Sequence, residues 1–87
     1  MAEGWSVTLE PGQGWRFLGS TPEKSASECV LRSFDGPVLF ATGSGPSSPD
    51  TEPLTVAAGG GGRLLGLHFF ARTAGPGGPC RILVRGI

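Results

Sequence analysis

The side chains able to do chemistry in this 87-residue chain are few and scattered. There is one histidine, His68, and there are two cysteines, Cys29 and Cys80, and two aspartates, Asp35 and Asp50. A serine-histidine-aspartate relay can be drawn from these residue types, but no Gly-x-Ser-x-Gly elbow places a nucleophile. His68 lies in an apolar run, where a histidine is ordinarily packed or hydrogen-bonded rather than catalytic. A metal would need Cys29, Cys80 and His68 to converge without any Cys-x-x-Cys or His-x-x-x-His pair. Glu10, Glu23, Glu28 and Glu52 could supply paired carboxylates, yet all four fall in polar turns or strand ends, where solvated charge is the ordinary role. Gly59-Gly-Gly-Gly-Arg63 lacks the Lys-Ser/Thr and following helix of a phosphate loop and reads as a flexible turn. The residues imply no enzyme, no cofactor and no metal.

Two aromatics carry the remaining chemical signal. Trp5 and Trp15 could stack on sugar rings, which makes them candidate glycan contacts. The competing role is packing in the core or at a subunit interface, favoured because both are in phase with other inward apolar residues.

Composition bounds the class. The chain is one small domain, residues 1–87, with a thin core for its size. Sixteen Gly and eight Pro approach a disordered composition, but 21 Leu, Ile, Val and Phe residues cluster in short runs, so the chain should fold with glycine in its turns. Seven basic and seven acidic residues cancel, and no basic patch occurs in sequence, which argues against nucleic acid as the main partner. Six of the seven basic residues are Arg, a bias that a GC-rich genome produces and that also suits interface hydrogen bonding. The start, Met-Ala-Glu-Gly-Trp, has no signal-sequence pattern, and no apolar run approaches the ~18 residues of a membrane span. Cys29 and Cys80 are expected as two buried thiols of a chain made in the cytosol, rather than as a disulfide.

The elements that must position these residues are extended. Trp5-Ser-Val-Thr-Leu-Glu10 alternates, Pro11 to Gly14 turns, and Trp15-Arg-Phe-Leu18 resumes, which reads as a hairpin with Trp15 and Phe17 on one side. Gly19 to Glu28 is a polar connection in which Thr21-Pro22-Glu23-Lys24 could start a short helical turn. Cys29 to Thr42 reads as a central hairpin about Asp35-Gly36, with Cys29, Leu31 and Ser33 opposite Val30, Arg32 and Phe34. Gly43 to Pro53 is a long proline-rich loop, and Leu54 to Ala57 is a brief strand. Arg63 to Thr73 reads as one strand covered on both faces: Leu65, Leu67, Phe69 and Ala71 oppose Leu64 and Phe70. Cys80 to Arg85 closes the chain with Arg81 and Arg85 outward. The sum is all-β, a small antiparallel β-sandwich or jelly-roll-like barrel of six to seven short strands.

The succession Val7-Thr-Leu-Glu-Pro-Gly-Gln-Gly-Trp15, Cys29-Val-Leu-Arg-Ser-Phe34, Gly36-Pro-Val-Leu-Phe-Ala41, the loop through Pro46 and Pro49, Phe69-Phe-Ala-Arg72 and Ile82-Leu-Val84 resembles small β-sandwich virion proteins of tailed phages and phage-like gene transfer particles. That resemblance implies a non-enzymatic capsid decoration protein, or a head-spike or fibre base, assembled in the bacterial cytoplasm into a particle. Its implied partners are capsid or tail proteins, further copies of itself, and a fibre protein or cell-surface glycan, without nucleic acid or membrane insertion. A small carbohydrate-binding module is the alternative. The expected protein contacts are Leu64, Phe70 and Arg72 on the two-faced strand and Pro46, Pro49 and Asp50 in the loop. Gly36→Val is expected to damage folding, whereas changes from Ser47 to Thr51 should spare it.

Overall fold

Alternation decides which face of each strand is buried, and the computed structural model, which describes residues 4–21, 25–75 and 77–86, shows it along most of the chain. Among the described residues eight strands form: β1 (Trp5–Leu9), β2 (Arg16–Ser20), β3 (Ser27–Ser33), β4 (Val38–Gly43), β5 (Leu54–Val56), β6 (Gly61–Gly66), β7 (His68–Thr73) and β8 (Cys80–Arg85). They make two four-stranded antiparallel sheets, sheet I in the order β1-β8-β3-β6 and sheet II in the order β2-β7-β4-β5. The pairs β1·β8, β2·β7, β3·β6 and β4·β5 describe one long antiparallel strip folded back at its middle and rolled into two layers. This is the eight-stranded jelly roll. The proposed helical turn at Thr21–Lys24 falls largely outside the described residues.

The roll corrects three readings. Cys29 to Thr42 is not a hairpin, because β3 lies in sheet I and β4 in sheet II. Gly36 is absent from the positive-φ glycines, so Asp35-Gly36 is no tight hairpin turn but a corner between layers. Long-range bonds hold that corner: Phe34 N–H donates to Arg81 O at 3.0 Å, and Arg81 N–H to Asp35 Oδ2 at 2.8 Å. The Ser33 hydroxyl also donates to Gly36 O. A Cβ at Gly36 would lie 3.0 Å from Cys80 Sγ, so crowding rather than turn geometry is what a larger residue meets there. β1 and β2 likewise lie in different layers and form no hairpin.

The third correction concerns Arg63 to Thr73, which is two strands rather than one. β6 ends at Gly66 and β7 begins at His68 in the other sheet, with a bend at Leu67. Crossing between layers reverses which parity points inward: Leu64 faces the core from sheet I, while Phe69 and Ala71 face it from sheet II. That crossing is why simple alternation fails here, and it brings the strand count to eight. The glycine run is also divided. Gly59, with φ 76°, and Gly60 turn back on Ala57, while Gly61 and Gly62 enter β6.

The interior between the sheets is apolar. Leu31, Cys29, Ile82 and Val84 from sheet I meet Val38, Phe40, Phe69 and Ala71 from sheet II, and the rings of Phe40 and Phe69 pack with centroids 6.1 Å apart. Cys29 and Cys80 are free and buried. In the β3·β8 register Cys29 falls opposite the end of β8 and Cys80 opposite the other end of β3, about 20 Å apart at the usual rise per residue and far beyond disulfide reach. Burial pushes the Cys29 thiol up to about 12, so it stays protonated and inert at neutral pH.

Candidate interaction surface

The outer face of sheet II collects most of the singled-out residues. In the β2·β7·β4 register Phe17 sits opposite Phe70, which sits opposite Ala41, and Leu39 lies beside Arg72. The rings of Phe17 and Phe70 are 5.5 Å apart and those of Phe17 and His68 6.3 Å. The Arg72 guanidinium lies 5.6 Å from the Trp15 ring centroid, within cation–π range. The pairing of β2 with β7 produces this arrangement, and a bulge follows it. The register shifts between Phe17 and Gly19, Leu18 turns inward, and Phe17 is left on the outer face, 44% exposed. Gly19, just past the shift, has φ 152°, an angle that glycine adopts most readily. Trp15 and Phe17 are therefore outward, contrary to the inward phase read from the sequence.

Loop 44–53 closes one side of this face. A Cβ at Gly43 would meet Ser48 O at 2.6 Å, Phe70 Cε1 at 3.1 Å and Pro49 Cα at 3.2 Å, so the loop lies directly over Gly43 and Phe70. Phe70 is buried as a result, and its surface is taken by Phe17 and the loop rather than offered to a partner. Asp50 Oδ2 accepts from Ser44 N–H at 3.1 Å and from the Ser44 hydroxyl at 2.6 Å, while Asp50 N–H donates to Thr42 O at 3.0 Å. Thr51 Oγ1 accepts from Thr42 N–H at 3.1 Å and donates to Thr42 O at 3.0 Å. The segment from Ser47 to Thr51 thus includes its own braces, so the expectation that changes there spare the fold needs dividing. Ser47 is exposed, and Ser47→Ala should leave stability unchanged. Thr51→Val should cost about 1–2 kcal/mol by taking the hydroxyl acceptor from Thr42 N–H, while Thr42 O keeps the Asp50 N–H, as read from urea midpoints.

The same bonds give a pH dependence. Donation from the Ser44 hydroxyl, then from its backbone, holds the Asp50 carboxyl below its ordinary value. A depressed carboxyl stabilises the fold above its unfolded value, and that contribution is lost as pH falls through the folded one. Asp50→Asn should therefore lower stability at neutral pH, converge with wild type in acid, and flatten the profile below about pH 4.

The other candidates disperse. Leu64 is partly buried against the core, and its neighbour Leu65, 70% exposed, points outward from β6 beside Arg63. Trp5 is partly buried against the same core, so stacking on a sugar falls to Trp15 alone. Pro46 is exposed and Pro49 half-buried in the loop. His68 Nδ1 shares a 2.6 Å hydrogen bond with Ser20 Oγ, its cross-strand neighbour. Among the described hydrogen bonds no carboxylate orients that imidazole, so the pair lacks the third member of a relay. His68 lies on the outer face of sheet II, whereas Cys29 and Cys80 are on the inner face of sheet I, and no group of three metal-binding side chains occurs among the described residues. A cavity of about 160 Å³ at the Asp35 corner is lined partly by Cys80. Burial, then the charge of Asp35, raises that thiol's pKa, the opposite of what a nucleophile needs.

Sequence reasoning missed a second surface. On the outer face of sheet I, Arg32, Arg63, Arg81 and Arg85 project from three neighbouring strands. The guanidinium carbons of Arg81 and Arg32 lie 5.2 and 5.8 Å from the centroid of Phe34, which is 40% exposed. Outward positions of Arg81 and Arg85 were legible from alternation; the adjacency of β3, β6 and β8 was not.

No protein-family model, no curated protein and no solved structure matches the chain.

Proposed function

We propose that the protein is a non-enzymatic structural subunit of a phage or phage-like particle, docking on a capsid or tail protein through the outer face of sheet II. The observation that carries the reading is the outward group of Trp15, Phe17 and Arg72, set on a rigid sheet and walled by loop 44–53. Aromatic and arginine side chains that expose area on an ordered support are the usual anchors of protein interfaces. The fold agrees by analogy, since jelly rolls serve in viral capsids, although the same fold also builds lectins. A further copy of the chain or a fibre protein is a second occupant consistent with the same chemistry.

The test is co-sedimentation of the purified protein with particles from its host. Wild type should travel with the particle, and Phe17→Ala/Arg72→Ala should lose binding by tenfold or more, as for paired interface anchors, while keeping a cooperative melt. Wild type remaining as a monomer at the top of the gradient would remove the reading. The Trp15–Arg72 contact supports one alternative, a glycan-binding module. Binding on a glycan array that disappears in Trp15→Ala, without any particle association, would favour it.

A further inference from the structure

We infer that the outer face of sheet I is a second docking surface, built for an extended acidic protein segment in which carboxylates alternate with apolar side chains. Its residues form a checkerboard. Phe34 bonds through its backbone to Arg81, Arg32 pairs with Leu83, and Val30 pairs with both Arg85 and Arg63. Glu28 and Leu65 form the next row. Each arginine thus has an apolar neighbour across the ladder, Arg81 and Arg85 have Leu83 between them on one face, and Arg32 lies between Val30 and Phe34 on another strand. Along a strand such positions repeat at about 6.7 Å, and across strands at about 4.8 Å. An added or overlying extended chain presents side chains of one face at that same repeat.

Charge and shape agree. Among the described residues of β3, β6 and β8, the four arginines share this face with one carboxylate, Glu28, whose Oε2 is 3.9 Å from Arg63 Nε, and with Asp35 at its end, already bonded to the Arg81 backbone. The long, exposed Arg63–Glu28 pair contributes little by itself and leaves the guanidinium free for a partner. Beside Arg63 the lack of a side chain at Gly61 leaves a recess of about 250 Å³, floored partly by Val30. That recess suits one apolar side chain, flanked by arginines for carboxylates on either side. Nucleic acid fits less well, because it brings charge at every unit without apolar groups, and Phe34 is the one outward aromatic on this face among the described residues. The inference is independent of docking through sheet II.

The probe is a fluorescent peptide of alternating Glu and Val, twelve residues long, titrated with the full chain beside dT12 and an alternating Lys-Val peptide. The acidic peptide should bind, weaken steeply between 50 and 300 mM salt, and lose about five- to tenfold in affinity in Arg32→Ala/Arg81→Ala. Arg16→Ala, exposed on sheet II, should bind as wild type. Filling the recess with Gly61→Gln should also weaken the peptide, with a thermal melt to confirm folding. Preferential binding of dT12, equal binding of the Lys-Val peptide, or indifference to the arginine pair would each overturn the assignment. Particle co-sedimentation unchanged in Arg32→Ala/Arg81→Ala would separate this surface from the one on sheet II.

Discussion

Phe40→Ala should bring the domain to the edge of unfolding. Phe40 is fully buried at the centre of β4, its ring against Phe69 and its neighbours Val38 and Val56 also inside. Removing a buried phenyl ring costs about 3–5 kcal/mol, through lost transfer energy and the cavity left behind. The whole stability expected of a chain this size is about 4–13 kcal/mol. Sheets limit the relief available, because β4 is fixed on both sides by β5 and β7 and its backbone cannot close on the cavity. Urea melts should show the midpoint falling by about 2 M, given slopes of about 1–3 kcal/mol per molar. Phe17→Ala, at an outward and 44% exposed position, should move it far less. Equal losses at the two positions would contradict the assignment of inner and outer faces.

The second large effect is expected at Gly43. An added methyl would meet the carbonyl of Ser48 and the Cα of Pro49, which are backbone atoms that cannot rotate away, and the ring of Phe70. The loop must lift. Overpacking of this kind costs about 1–3 kcal/mol, and here it also strips the cover from Phe70 and strains the bonds of Asp50 and Thr51 to β4. Gly43→Ala should therefore lower the urea midpoint and increase binding of a hydrophobic dye. It should also speed hydrogen exchange at Thr42 and Asp50, whose N–H groups tie the loop to the strand. A variant that melts earlier with unchanged exchange at those two amides would mean that the loop is not the element displaced.

Much of the fold was legible because alternation is a local property. Cys29, Leu31 and Ser33 are inward, and Val30, Arg32 and Phe34 outward, as their spacing requires. Strand partners are not local. Nothing between Cys29 and Thr42 says whether Asp35-Gly36 returns the chain in the same sheet or carries it to the other layer; bonds to Arg81, supplied 46 residues later, help decide that. At Leu67 the apolar run continues while the sheet changes, so one long strand and two short ones share the same composition. The outer face of sheet II was obscured because alternation in Trp15 to Leu18 does not say which phase is inward; only pairing with β7 sets Phe17 beside outward Phe70. The arginine checkerboard was invisible because its members come from positions 32, 63, 81 and 85, which only the pairing of β3 with β6 and β8 unites.

We propose that this jelly roll works by presenting the outer face of sheet II to a partner in a particle. Electron cryo-microscopy of native particles from the host tests it most directly. Density for an eight-stranded roll is expected on the particle surface, with Trp15, Phe17 and Arg72 against the neighbouring subunit. Particles that lack the roll, or that hold it with those three side chains facing solvent, would contradict it.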